Sequence, residues 1–224
     1  YEELDSNKLL HSYNNIEKPL IDVLVEIEKN GVFIDLDYLE RLSVEFGSEI
    51  KVLTKNIYDL AGSEFNINSP KQLSEVLFDK LELKPIKKRS TAVEVLEVLK
   101  DYHPLPGVIL KYRHLTKLKN TYLDTIPSYV NRATGRVHTS LNQTITSTGR
   151  LSSSSPNFQN IPIRTEYGRT IRKAFVAQSK DNVILSADYS QVELRIMAHY
   201  SKEIELIDAF NNDLDIHTRT ASLV

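Results

Sequence analysis

At 224 residues the chain can bury a sizeable core and form one or two domains. Its 41% hydrophobic and 26% charged residues are ordinary for a soluble globular chain, and a net charge of −2 means that contact with a polyanion must come from local basic clusters. The sequence has no cysteine, which excludes disulfides and thiolate metal sites; no apolar run approaches the roughly 20 residues that span a membrane, and no secretory signal opens the chain, so the expected location is intracellular.

Residues 1 to 30 read as helix, with Ile16, Leu20, Leu24 and Ile27 recurring at steps of three or four, and Asn30-Gly31 stops it. Val32-Phe33-Ile34-Asp35 is a short extended link. A long helix over 36 to 61 follows: Leu39, Leu42, Phe46, Ile50, Leu53, Ile57 and Leu60 form one apolar stripe ended by Gly62. The stripe asks for a second long helix, and Leu105 to Val130, with Leu110, Leu118, Tyr122 and Ile126 on one side, is the expected antiparallel partner. Two short helices are expected between them. Ser69-Pro70-Lys71-Gln72 starts one with an N-cap and Pro at the first helical position, and Thr91-Ala92-Val93-Glu94 reads as a capping box for the other. The pattern changes at Asn131. Arg136 to Leu141 alternates like a half-buried strand, and Ile171 to Ala177 and Val183 to Asp188 read as further strands. Ser152 to Pro162 has no period and reads as a loop. Helices are expected again at Gln191 to Tyr200, at Glu203 to Asn211 and from about His217. The chain starts at YEELDSNKLL and stops at TASLV inside a helical pattern, so we expect a piece of a longer protein.

Two runs carry the chemistry. In VILSADYSQVELRIMAHYS, Val183 to Ser201, an apolar β-branched stretch ends at one carboxylate, Asp188, and a helix pattern follows at once. An Asp before a helix is ordinarily an N-cap; here the neighbouring run TSTGRLSSSSPNFQNIPIR, Thr146 to Arg164, adds a polar stretch rich in Ser, Asn, Gln and Arg. Together the two runs resemble the palm of family A DNA polymerases, the bacterial DNA polymerase I type. The resemblance covers nearly the whole chain. It implies an α+β fold: a long antiparallel helical thumb, then a partial antiparallel-sheet palm. The implied divisions are 1–30, a helical linker from a proofreading domain; 31–130, thumb; 131–201, partial palm; and 202–224, the start of the fingers helices.

The resemblance also implies roles. Asp188 corresponds to one of two metal-bridging aspartates, and the carbonyl of Tyr189 joins the shell of the Mg²⁺ pair. Ser190 and Gln191 stand on the nucleotide side of a helix start, where unpaired N–H groups favour phosphate. Glu193 is the gate against a ribose 2′-hydroxyl, and an acid there also suits the helix dipole. Arg150, in Thr148-Gly149-Arg150, lies in the minor groove at the primer terminus, where every correct pair presents acceptors. Asn157, Gln159 and Asn160 line the template side, and Arg164 and the His217 of Asp215-Ile216-His217 approach the incoming triphosphate. Arg113 and Lys117, in KYRHLTKLKNTY, grip primer phosphates. Lys84, Lys87, Lys88 and Arg89 suit phosphate contact and a solvated loop equally. The implied partners are primer-template DNA and deoxynucleoside triphosphates, in the cytoplasm with the nucleoid and without a membrane. No V-H-D-E run supplies the second aspartate, since Val137-His138 continues to Thr139, and no basic, tyrosine-bearing fingers helix is present. The expected activity is template-directed nucleotidyl transfer for replication and repair, absent from these 224 residues alone. A non-catalytic DNA-binding module and a metal nuclease using Asp188 are the competing readings.

Overall fold

A seam between two long helices organises most of the chain in the computed structural model, which describes residues 1–212, 214 and 216. Helix α1 (Glu2–Ser6) is short; α2 (Leu10–Ser12) runs through a π-helical turn into α3 (Lys18–Asn30). Gly31, at φ +60°, ends α3, and a Cβ there would lie 2.7 Å from the Val137 carbonyl, so this crossing admits only glycine. After strand β1 (Val32–Phe33), Asp35 caps α4 (Leu36–Ala61) by accepting from the Tyr38 amide at 2.8 Å, and Gly62 closes it in the left-handed region. Ser69 caps α5 (Pro70–Glu75) as the sequence predicts, and Gln72 turns back to accept from the Asn66 amide at 2.6 Å. Then come α6 (Val93–Leu99) and α7 (Pro104–Leu118), the latter prolonged by a π-helical turn, Lys119–Leu123.

The expected stripe is the core. Leu39, Leu42, Phe46, Leu53 and Ile57 are buried against Leu105, Ile109, Leu115, Leu118 and Tyr122, with Ile50, Leu60 and Leu110 partly buried beside them. Each such side chain contributes roughly 1.5–3 kcal/mol on burial. Ser43 bonds Asp124 at 2.8 Å and Glu49 pairs with Lys111 at 2.6 Å, which fixes α4 and α7 as antiparallel. The second helix is shorter than the expected 105–130. Pro127 lacks an N–H, and the chain beyond Leu123 tightens into a 3₁₀ turn at Ile126–Tyr129.

All strand pairs are antiparallel. Strand β2 (Val130–Asn131) and β1 flank β3 (Arg136–Val137), with Val32 and Val130 both opposite Val137. Strand β4 (Ser140–Asn142) pairs with β5 (Ser152–Ser154), Leu141 opposite Ser153. The fold is therefore α+β, with the link before α4 built into the sheet rather than standing apart from it.

Several expectations are corrected. The stripe Ile16, Leu20, Leu24, Ile27 buries only Leu24; Glu17, just ahead of α3, accepts from Gln143, and Glu28 within α3 accepts from the Leu141 amide. Thr91 is no cap: Ala92 occupies that position without a side-chain bond, and Thr91 is buried beneath Arg113. The loop at Ser152 to Pro162 contains β5. Of the strand expected at Ile171 to Ala177, Ile171 and Arg172 instead end α8 (Glu166–Arg172), started by Thr165, whose hydroxyl accepts from the Gly168 amide at 3.1 Å, and the residues beyond make one isolated bridge, Phe175 to Ile34. A good cap there outweighs the β-branched residues.

The larger unit ends at Asn182 and the second begins at Val183. In the second unit Val183 to Asp188 is irregular, not a strand. Val183 and Leu185 are 87% and 88% exposed, since no strand among the described residues pairs with them. Helix α9 (Val192–Ser201) packs on α10 (Ile204–Asn211). His217 lies outside the described residues. Among the described residues no helix is long and apolar enough to cross a membrane.

Candidate functional site

A cavity of about 620 Å³ opens in the larger unit where the end of α7 faces the loop after β5. His114, Lys117 and Tyr129 come from the helical side, and Asn157, Asn160 and Pro162 from the loop. Lys117 and Asn157, 40 residues apart in sequence, thus line one cavity. Lys117 is exposed and has no ion-pair partner among the described residues. The Nε2 of His114 is buried without a hydrogen bond among them.

The loop owes its shape to Ser153, which is 5% exposed. Its hydroxyl donates to Asn157 Oδ1 at 3.2 Å and accepts from the Phe158 amide at 3.1 Å. Gln159 spans the same turn, accepting from the Ser153 amide at 3.2 Å and donating to the Leu151 carbonyl at 3.0 Å. Asn157 and Gln159 are exposed, yet each spends part of its bonding capacity on the loop itself. Sequence reasoning missed Ser153, and nothing in a run of four serines marks the second as the buried one.

The basic residues divide by surroundings. Arg113 is half-buried, donates from Nη1 to the Thr91 carbonyl at 2.6 Å, and is pushed below the ordinary guanidinium pKa by burial. Lys111 pairs with Glu49, which also accepts from the Tyr167 hydroxyl at 2.7 Å, joining α4, α7 and α8. That bond from Lys111 holds the Glu49 carboxyl below its usual range and raises Lys111; burial raises Tyr167. Arg89 is taken up by Asp79 at 2.7 Å and lies over the Phe78 ring, and Lys87 stands 4.0 Å from Glu94. Arg150 and Arg164 are exposed.

In the second unit Asp188, Tyr189, Ser190 and Glu193 are exposed, and Gln191 adopts the left-handed region at φ 53° as α9 begins. Arg195 holds that start: its Nε donates to the Ser190 carbonyl at 3.1 Å, and its guanidinium stacks 4.4 Å from the Phe210 ring centroid. Its place in the Val183–Ser201 run gave no hint of that bracing role. Among the described residues no three His, Asp or Glu gather as a metal-holding group, and Asp188 precedes Tyr189 in an exposed, irregular segment.

Paired long helices with small antiparallel sheets also make up a solved polymerase domain. The likeness to a solved one is close: the POL domain of Pol1 from M. smegmatis, in complex with DNA primer-template and dNTP, is 42% identical, with a TM-score of 0.89 over 99% of this chain and 40% of that one. Residues 36–224 match DNA polymerase family A, and the chain belongs to that family. DNA polymerase I of Bacillus subtilis (strain 168) is 48% identical over 98% of this chain, and the thermostable DNA polymerase I of Thermus thermophilus is 51% identical over 96%. The chain spans 26% of the length of each of these two relatives.

Proposed function

We propose that these residues form the primer-template surface and the nucleotide-side motif of a DNA-directed DNA polymerase. The observation that carries the reading is the one cavity that Lys117 and Asn157 both line. A cation from a helix and an amide from a polar loop meet there on one concave surface, in a chain of family A. A duplex needs both kinds of contact: cations for its phosphates and amide groups for base edges in a groove. On this reading residues 31–130 are thumb, 131–201 part of the palm and 202–224 the start of the fingers, with 1–30 leading in.

Each residue has a defined task in primer extension. Lys117 neutralises primer phosphate, and Arg113 supports that helix while adding charge. Arg150, Asn157 and Gln159 meet the minor groove, where an arginine tests pair geometry without reading sequence. Ser190 and Gln191 of the second unit are the proposed triphosphate contacts, and the same task is assigned to Arg164 of the larger unit and to His217, which lies outside the described residues. Glu193 fills the space below C2′, admitting hydrogen and excluding hydroxyl. Asp188 and the Tyr189 carbonyl are hard oxygen donors of the kind Mg²⁺ accepts when substrate phosphates complete its shell. When bound, the ions supply positive charge to the reacting phosphate and the primer hydroxyl. One carboxylate does not hold two ions, so the 224 residues alone bind primer-template without extending it. The proposed setting is replication and repair in the cytoplasm, at the nucleoid.

Anisotropy titrations and primer extension on the purified chain test this together. We expect sequence-independent binding that weakens steeply with salt, and no added nucleotide at any Mg²⁺ concentration. Salt-independent binding would count against the thumb role, extension against the need for a second aspartate, and nucleotide-free degradation of DNA in favour of a nuclease.

A further inference from the structure

The loop after β5 is also held from outside, by α8 and by Tyr122 in the turn after α7. Four backbone carbonyls between Asn160 and Arg164 accept from side chains. Asn160 accepts from the Tyr122 hydroxyl at 2.5 Å, and Arg164 from Arg169 Nη1 at 3.1 Å. The two between them share one guanidinium: Arg172 donates from Nη2 to Ile161 at 3.0 Å and from Nε to Pro162 at 3.4 Å. The close approach that permits this depends on Gly168. A Cβ at that position would lie 2.4 Å from the Pro162 carbonyl oxygen and 2.7 Å from Pro162 Cβ. Ile161, 5% exposed, anchors the same stretch in the core.

Surface-loop carbonyls are ordinarily satisfied by water. Here a rigid cationic fork spans two successive carbonyls, which the single ammonium of a lysine does not reproduce. The fixed stretch separates Asn157 and Gln159 on one side from Arg164 on the other. Groups that read a duplex need their aim set within about half an ångström, and that aim comes from the residues supporting them.

We propose that Arg172, seated against Pro162 through Gly168, is a positioning residue that sets the aim of the Asn157–Arg164 loop toward primer-template DNA. This rests on the reading of that loop as a DNA-contact segment. Arg172 acts on the backbone of its own chain, not on phosphate, and this separates it from Lys117. Losing it misplaces the loop without removing a phosphate contact.

The salt dependence of binding distinguishes the two kinds of residue. The 224-residue chain is titrated with a fluorescent primer-template at several salt concentrations as wild type, Lys117→Ala, Arg172→Gln, Arg172→Lys and Gly168→Ala, with thermal unfolding of each. Lys117→Ala should weaken binding and lower the salt slope by about one. Arg172→Gln should weaken binding roughly tenfold, as a misplaced contact group does, with an unchanged slope. Arg172→Lys, which keeps the charge but not the fork, should remain weakened. Gly168→Ala, which changes no charge, should behave like Arg172→Gln. A reduced slope in Arg172→Gln, or full recovery in Arg172→Lys, would show a direct phosphate contact and overturn the proposal. Wild-type affinity in Arg172→Gln beside a weakened Lys117→Ala would overturn it while leaving the DNA reading intact. An Arg172→Lys protein that binds weakly only in proportion to a lost thermal transition would reduce Arg172 to a stability residue. Absence of binding by wild type would remove the DNA reading and the positioning role with it.

Discussion

Arg113 and Lys117 stand one helical turn apart on α7, and their surroundings give them different work. Lys117 is exposed on the cavity wall, while Arg113 closes over the Thr91 carbonyl and ties α7 to the start of α6. Replacing each with alanine should separate binding from stability. Lys117→Ala should leave the unfolding midpoint unchanged and lower the salt slope of DNA binding by about one. Arg113→Ala leaves a carbonyl that was bonded to a charged group, and should cost about 1.5–3 kcal/mol of stability. Equal loss of affinity in both variants, with equal stability, would make Arg113 a phosphate contact of the same kind. The sequence ranks the two residues alike because both follow the same helical period. What distinguishes them is the position of Thr91, 22 residues earlier in the chain, which no local pattern reports.

At the scale of elements, Glu49, Lys111 and Tyr167 bind three helices together, and the bond has a pH signature. The bond from Lys111 keeps the folded-state pKa of Glu49 below its ordinary 4.5. That stabilisation is present above the unfolded value and is lost as pH falls through the folded one. The Lys111 pKa is raised above 10.5 by the same pair, so its share is complete below that value and is lost as pH rises through the folded pKa. The Lys111 side chain is half exposed, and the pair contributes no more than about 1 kcal/mol. Glu49→Gln should therefore melt about 2–4 °C lower near neutrality, and the gap from wild type should close in acid as Glu49 protonates. A gap that persists undiminished in acid would place the effect in packing. Of the helices joined here α4 was legible beforehand, because a seven-residue stripe and the terminating Gly62 point the same way, whereas α8 was not: its cap at Thr165 lies in a stretch with no apolar period, and the β-branched residues near its end read as a strand. Strand β5 was not, because Ser152–Ser154 has no apolar alternation and becomes a strand only by pairing with Ser140–Asn142. The segment from Val183 failed in the opposite sense. Its residues favour a strand, yet a strand needs a neighbour, and none of the described ones pairs with it.

For the molecule as a whole, the two units suggest a separation of tasks: the larger carries the proposed duplex contacts, and the second carries the Asp188 motif. The family resemblance was legible because the motif that carries it is contiguous, from Asp188 through Glu193, and so needed no tertiary information. Substitution in a family A polymerase carrying these 224 residues should expose that separation. Asp188→Ala should abolish nucleotide incorporation and leave primer-template affinity nearly unchanged, because a carboxylate that acts on metal and developing charge does nothing for the duplex. Glu193→Ala should retain much deoxynucleotide incorporation and accept ribonucleotides more readily, since it opens space below C2′ without removing a metal donor. Lys117→Ala should do the reverse of Asp188→Ala, raising the DNA concentration needed for half-maximal rate with a smaller change at saturation. The informative comparison is single-turnover incorporation against DNA affinity for all three. An active Asp188→Ala enzyme would refute the metal assignment, and a Glu193→Ala enzyme as inert as Asp188→Ala would move Glu193 from the sugar gate to the chemical step.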